Sequence, residues 1–301
     1  MNKILFYSIG LLLLCSSCRK MVADAVVFDV ATEKQTYHVG DTVRFLFDGQ
    51  PEHIVFYSGT PGNAYVNKDR IYAPGKPELQ FSTLLNNAGQ TNTIRILASN
   101  DFSGKMDSLN IYSATWVDLS SQATFATTNA DKPSGVIDLS AFKEKPLYLA
   151  FKYLGYKHAT QKQPKWTIRS FVINNTLADG AVLPVAATTD LGWAAFDLKN
   201  PTTVWVLPST GLISIDGTTV SGNQPKLNEN NEDWAITRKL DLQKAVPDAG
   251  APIKYLGGNA LDHHPYIYEK PGTYEVVFVA FNNTIDEQQT VVKTLSVTIL
   301  P

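Results

Sequence analysis

Hydrophobic and polar residues alternate with a period of two in short runs broken by glycine, proline, asparagine and aspartate, and no stretch holds a 3.6-residue period over three turns. The pattern predicts strands over Ala25 to Ala31, Thr42 to Phe47, Ile54 to Tyr57, Thr93 to Ser99 and Leu147 to Tyr153. Further strands are expected over Trp166 to Ile173, Thr203 to Leu207 and Trp234 to Leu242, and two more, Thr273 to Asn282 and Val291 to Ile299, close the chain. Turns are expected at Gly40-Asp41, Asp48-Gly49, Pro61-Gly62, Pro74-Gly75, Asp216-Gly217 and Pro271-Gly272. The expected fold class is all-β.

The two ends of the chain carry related patterns. Tyr37-His38-Val39-Gly40-Asp41-Thr42-Val43-Arg44-Phe45 sets a glycine turn before a strand with Val43 and Phe45 on one side. His264-Pro265-Tyr266 and Lys270-Pro271-Gly272-Thr273-Tyr274-Glu275-Val276 supply a proline-glycine turn followed by a strand with Tyr and Val alternating inward. The first segment resembles the opening, and the second the closing, of a PKD or immunoglobulin-like β-sandwich. Neither piece alone has enough strands to cover two sheet faces, so one sandwich formed by both chain ends, 18–75 and 245–301, is expected, with the middle inserted into it. The middle, 76–244, contains in order Leu97-Ala98-Ser99-Asn100-Asp101-Phe102, Ala114-Thr115-Trp116-Val117-Asp118-Leu119, Ser134-Gly135-Val136-Ile137-Asp138-Leu139 and Lys165-Trp166-Thr167-Ile168. That order is similar to jelly-roll domains of Bacteroidota cell-surface proteins, both adhesin-like and carbohydrate-binding-like. Arg169 and Ser170 stand where that family often carries an acid. Phe56-Tyr57-Ser58-Gly59-Thr60-Pro61-Gly62 is read as a structural junction.

The start of the chain changes the picture from a fold to an address. Lys3, the apolar run Ile4 to Leu14 and the small residues that follow read as an export signal over 1–17. Eleven apolar residues make a helix of roughly 16 Å, against a hydrocarbon core of about 30 Å, so a permanent span is not expected. The chain's two cysteines both fall here. Cys18 after Ser17, with Leu14 upstream, resembles a bacterial lipobox, which implies acylation of Cys18 and a lipid-anchored protein; Cys15 departs from the usual leucine. Nearly the whole mature chain resembles uncharacterised Bacteroidota lipoproteins found beside SusC and SusD type glycan-uptake proteins. That resemblance implies an outer-membrane location, with such proteins as partners. Arg19 and Lys20 stand where surface-exported members carry acids, so the face of the membrane is left open.

Composition narrows the function further. With 44% hydrophobic and 18% charged residues, the chain of 301 can bury a sizeable core. A net charge of −2 from 26 Lys and Arg against 28 Asp and Glu lacks the basic excess that nucleic-acid binding requires. There is no G-x-S-x-G elbow, phosphate-binding loop, H-E-x-x-H or EF-hand loop. Ser140-Ala141-Phe142-Lys143 has S-x-x-K spacing without its companion motifs and is read as a turn. Asp262-His263-His264 is the densest titratable cluster, but adjacent histidines on a strand point to opposite sides and chelate poorly. No cofactor is assigned. Structural calcium is what the jelly-roll resemblance implies, with Asp101, Asp118, Asp131 and Asp138 as the supply of acids, spread without loop-motif spacing.

The aromatic residues are the clue to a ligand, because indole and phenol rings offer flat faces to sugar C–H groups and a polar edge to hydroxyls. Trp116, Trp166 and Trp234 sit in alternating contexts and are read as core; Trp193, Tyr156 and Trp205 are the candidate sugar platform. Asp41-Thr42-Val43 and Asp107-Ser108-Leu109 resemble a Bacteroidota O-glycosylation motif, which implies modification of Thr42 and Ser108 on exposed turns. The expected function is a non-catalytic envelope protein binding a polysaccharide or oligosaccharide. An adhesion or assembly protein binding another envelope protein, and a glycan-active enzyme with two convergent carboxylates, are the rival classes.

Overall fold

A computed structural model of the protein describes residues 20–301 apart from 88, 159, 179, 202 and 219–228. The expected signal 1–17 and the lipidation residue Cys18 lie outside the described residues. The chain divides into two compact units, the first taking the residues up to Arg70 together with Pro247–Pro301, the second Ile71–Val246. The first unit begins with strands β1 (Asp29–Thr32), β2 (Thr36–His38), β3 (Thr42–Asp48) and β4 (His53–Tyr57). The second contains β5 (Lys76–Asn86), β6 (Ile94–Ser99), helix α1 (Ser108–Ser113), β7 (Val117–Asp118), β8 (Lys132–Pro133), β9 (Ile137–Asp138) and β10 (Tyr148–Gly155). It continues with β11 (Lys165–Thr176), β12 (Val182–Ala187), β13 (Ala194–Lys199), β14 (Trp205–Val206), β15 (Ile213–Asp216) and β16 (Asn231–Ile236). The chain then returns to the first unit for β17 (Ala251–Lys254), β18 (His263–Ile267), β19 (Gly272–Asn283) and β20 (Gln288–Leu300). The expected all-β class holds, and α1 is the one α-helix among the described residues.

The first unit pairs strands from both ends of the chain. One sheet runs β1-β3-β18 and the other β17-β4-β19-β20-β2, with β2 parallel to β20. Val43 and Phe45 of β3 point inward at alternate positions and meet Ile54 and Phe56 of β4 and Phe278 of β19. Phe45, Phe56 and Phe278 touch one another with ring centroids 5.1–5.6 Å apart. Each such ring removed from water contributes roughly 1.5–3 kcal/mol, which is why two sheets suffice to close this unit. The turn at Gly59 needs glycine: its φ is +78°, and a Cβ there would stand 2.5 Å from the Glu275 carbonyl oxygen.

In the second unit a sheet with the path β14-β15-β11-β5-β8, joined by β12 and β9, packs on a five-stranded sheet ordered β13-β16-β10-β6-β7. The core between them includes Leu79 and Phe81 of β5, Ile96 of β6, Phe151 of β10 and Phe171 of β11. The two crossings into this unit are tied to each other, since Ala73 N donates to Gln243 O and Ala245 N to Ile71 O. The crossings therefore fall at 70–71 and 246–247, a few residues outside the expected 75–76 and 244–245.

Several elements differ from the sequence reading. The eleven-residue β5 was not expected, because buried Ser82 and Thr83 interrupt its alternation of polar and apolar positions. The six-residue α1 is too short to declare a helical period; Asp107 caps it by accepting from Asn110 N at 2.8 Å. The strand expected over Trp234 to Leu242 lies earlier, at Asn231–Ile236, and the one over Thr203 to Leu207 keeps only Trp205 and Val206.

Candidate functional site

Alternation within the five-stranded sheet of the second unit sends Leu149, Phe151 and Tyr153 of β10 into the core between the sheets and leaves Ala150 and Lys152 on the opposite face. Antiparallel register then aligns Arg95, Lys152, Trp234 and Phe196 in one row across β6, β10, β16 and β13. Leu97, Ala150 and Ile236 form an apolar row beside it. An outer face of this composition needs cover, and the segment after β6 supplies it: Phe102, Ile111 of α1 and the half-buried Trp116 pack on Leu97 and Trp234. Asp101 ties this cover down by accepting from Ser99 Oγ at 2.7 Å and Thr115 N at 2.8 Å, bonds that hold its carboxyl below the usual range.

Between the cover and the strands lies a cleft of about 460 Å³ lined by Arg95, Tyr112, Trp116, Asp118, Lys152 and Trp234, with apolar residues at its base. Trp116 donates its indole N–H to Ile111 O at 2.9 Å, and its ring is tilted against Trp234 with centroids 5.2 Å apart. Lys152 Nζ lies over the Trp234 ring, 4.9 Å from the centroid, and pairs with Glu232 at 2.8 Å. Trp234 is only 3% exposed, so Trp116 and the exposed Tyr112 supply the aromatic surface a ligand meets. Arg95 donates to Asp118 at 2.8 Å on the rim.

The charges here are paired before any ligand arrives. Glu232, with its side chain 8% exposed, also accepts from Trp234 Nε1 at 3.3 Å and has Lys199 at 3.6 Å. Burial alone would raise its pKa; the hydrogen bond and charge of Lys152, with Trp234 and Tyr112, outweigh burial and hold the carboxyl below its ordinary value. Asp118 behaves alike: burial raises it, while Ser120 and Arg95 bring it below the ordinary value. Both carboxylates are ionised acceptors at neutral pH, flanked by ammonium and guanidinium donors. Aromatic surface bordered by oriented donors and acceptors suits a polyhydroxylated ring with one apolar face.

The structure does not bring the three expected platform residues together. Trp205 is 5% exposed because its neighbours Val204 and Val206 take the outward positions, so it belongs to the core between the sheets and offers no surface. Trp193 is half-buried against the same core, with Phe171 at 5.4 Å and Phe151 at 5.8 Å; the preceding Gly192, at φ +56°, turns the chain there. Tyr156 is 43% exposed and lines a polar cleft of about 310 Å³ with Gln90, Thr91, Asn92, His158 and Gln161. Trp166 is buried between the sheets, whereas Trp234 is buried on the outer face and Trp116 is only half-buried there. Thr42 and Ser108 are both exposed, at the starts of β3 and α1.

The remaining candidates are accounted for by local contacts. Asp131 pairs with Arg169 and Asp138 accepts from Ser140 N, so the four acids considered for calcium each serve a separate bond. No group of three or more His, Cys, Asp or Glu among the described residues is arranged to hold a metal. His264 packs on Phe56 at 4.7 Å, and burial, then the neighbouring His263, lower its pKa. Lys143 reaches back to Gly75 O at 3.5 Å from the turn over Ser140–Phe142. Sequence reasoning missed Arg95, Tyr112, Lys152 and Glu232; the one local signal was a lysine between two core aromatics, Phe151 and Tyr153.

A family model described as a domain of unknown function, DUF5017, matches residues 17–193. The matched span includes Arg95, Tyr112, Trp116, Asp118 and Lys152 and ends before Glu232 and Trp234. No curated protein matches the chain.

Proposed function

The chain belongs to the DUF5017 family, and for this member we propose a non-catalytic, lipid-anchored envelope protein that binds glycan through the outer-face cleft of its second unit. The observation that carries the reading is the exposed ring surface of Trp116 and Tyr112 beside the Arg95–Asp118 and Lys152–Glu232 pairs. The low pKa values of Asp118 and Glu232 support binding over hydrolysis, since glycoside cleavage needs one carboxyl kept protonated near neutral pH. The lipobox resemblance at Cys18 supports an outer-membrane anchor, and the resemblance to lipoprotein neighbours of SusC and SusD type proteins supports an accessory role in glycan uptake.

The test is affinity electrophoresis of the protein against plant, host and microbial polysaccharides, followed by calorimetry on each hit. Retardation without product release is expected, and Trp116→Ala should weaken it by roughly 1–3 kcal/mol while the fold is retained. Retardation by no glycan, or equal retardation of Trp116→Ala, overturns the assignment. A second reading, assembly with another envelope protein, is favoured by one observation. β20 pairs with β2 only at Thr298–Leu300, so among the described residues the same edge of Gln288 to Val297 has no strand partner.

A further inference from the structure

The most exposed large apolar side chain among the described residues stands at the tip of the β19–β20 hairpin. Ile285 is 89% exposed, in the turn between Asn283 and Gln288. It fills no core, and turns favour small polar residues or glycine at such a place. The segment before β1 is fastened to the same tip. Met21 N donates to Asp286 Oδ2 at 2.8 Å and Met21 O accepts from Thr284 Oγ1 at 2.7 Å, so Met21 runs alongside the turn, bonded on both sides of Ile285. Farther along, the buried Asn282 donates to Asp24 O at 3.1 Å, and Ala23 is buried. Held in this way, the segment turns Met21 and Val22 outward, 58% and 70% exposed. The acids of the tip are engaged, since Asp286 accepts from Met21 N and Glu287 from Gln289 Nε2 at 2.8 Å.

Single apolar side chains scattered over a surface are ordinary; three gathered at one turn call for something to cover them. Their place in the chain says what that is. Met21 is three residues from Cys18, so the two Cα atoms lie no more than about 11 Å apart. An acyl group on Cys18 would hold that end of the chain at a bilayer, whose headgroup region is itself about 5–8 Å thick on each side. The opposite end of the hairpin is out of reach of the lipid. β19 has twelve residues, and at about 3.4 Å per residue Gly272 lies about 37 Å from Asn283.

We infer that Met21, Val22 and Ile285 form a membrane-docking surface, which seats the tip of the β19–β20 hairpin in the headgroup region of the bilayer that carries the anchor. The partner is a phospholipid surface. A tether at one residue limits distance and leaves the unit free to turn; a second, apolar contact at the hairpin tip fixes which end of the first unit faces the lipid. The inference rests on the reading of Cys18 as acylated and makes no use of the outer-face cleft.

The test uses the acylated protein in vesicles of phosphatidylethanolamine and phosphatidylglycerol, a fraction of them carrying a nitroxide on the acyl chain near the headgroup. The chain has no cysteine after Cys18, so Gln288→Cys, beside the tip, and Lys270→Cys, at the far end of the hairpin, each accept one fluorophore. Quenching by the nitroxide lipid should be at least about threefold stronger at 288 than at 270. Replacing the exposed apolar residues, Val22→Asp with Ile285→Asp, should lower the quenching at 288 at least about twofold while the protein stays with the vesicles. Equal quenching at the two positions, or quenching at 288 that the paired substitution leaves unchanged, overturns the inference. Mass spectrometry of the same preparation separates the two readings. Acylated protein with equal quenching keeps the anchor and removes the docking surface; protein without an acyl group on Cys18 removes the anchor and this inference with it.

Discussion

Lys152→Met is the most informative single change, because it removes a charge and keeps most of the side-chain volume. In the native protein Lys152 Nζ pairs with Glu232 at 2.8 Å, and the two side chains are 21% and 8% exposed. Truncating one partner of a buried pair costs about 3–5 kcal/mol, since the remaining charge is left desolvated. Lys199 at 3.6 Å and the Trp234 indole still face Glu232, so the expected loss is about 2–3 kcal/mol. For a unit the size of Ile71–Val246 that is a fall in Tm of about 4–12 °C. All five tryptophans lie in this unit, so intrinsic tryptophan fluorescence follows its unfolding selectively. The pH dependence identifies the cause. Glu232 is held below its ordinary value of 4.5, so its contribution is present at neutral pH and disappears as pH falls through the folded-state value. The gap between wild type and Lys152→Met should therefore be widest near neutral pH and narrow once the variant's carboxyl protonates. Adding Glu232→Gln to Lys152→Met should recover most of the loss. A gap that stays constant from pH 7 to pH 4, or that the second substitution leaves in place, would refute the buried-charge explanation.

Three further outcomes follow from the packing. Trp205→Ala should destabilise the second unit by about 3–5 kcal/mol by thermal denaturation, whereas Trp205→Phe should cost much less because among the described residues the buried indole N–H has no partner to lose; glycan affinity of the folded protein should be unchanged in both. Gly59→Ala should destabilise the first unit by 2 kcal/mol or more, about what a left-handed residue driven against a carbonyl requires, seen as faster proteolysis with unchanged tryptophan fluorescence. Tyr268→Phe should cost about 1–2 kcal/mol by urea unfolding followed through tyrosine signals, because the buried hydroxyl donates to Ser58 O at 2.9 Å and its removal leaves that carbonyl unpaired.

The strands with clean alternation were legible residue by residue. β3, with Val43 and Phe45 inward, needed nothing beyond period two and a glycine turn, and β19 followed from its apolar run after Pro271-Gly272 although Val276, Val277 and Phe278 are buried in succession. β5 was hidden because buried Ser82 and Thr83 blur its two faces, and its partner β11 shifts register between Arg169 and Val172, where Ser170 takes φ 54°. Those features depend on the partner strand and have no local signature. The candidate cleft was illegible for a related reason: Arg95, Lys152 and Trp234 become neighbours only through the register of three strands. Trp205 shows the limit most plainly. Between two valines in sequence it was free to face either way, and only the sheet it joined decided.

Because the first unit is assembled from both ends of the chain, its completion has a schedule. The Tyr268 hydroxyl and the Ser58 carbonyl it bonds are 210 residues apart, so at 5–20 residues per second β1 to β4 wait about 10–40 s during synthesis before their partners exist. The second unit is one continuous stretch and has all its strands earlier. Once it folds, the Ala245 N to Ile71 O bond holds its two ends side by side, and the long loop that β18 must close becomes a short one. Shortening that loop removes about 1.5 kcal/mol of closure entropy from the search. A lesion confined to the second unit, such as Trp205→Ala, therefore slows the maturation of the first without touching any of its contacts.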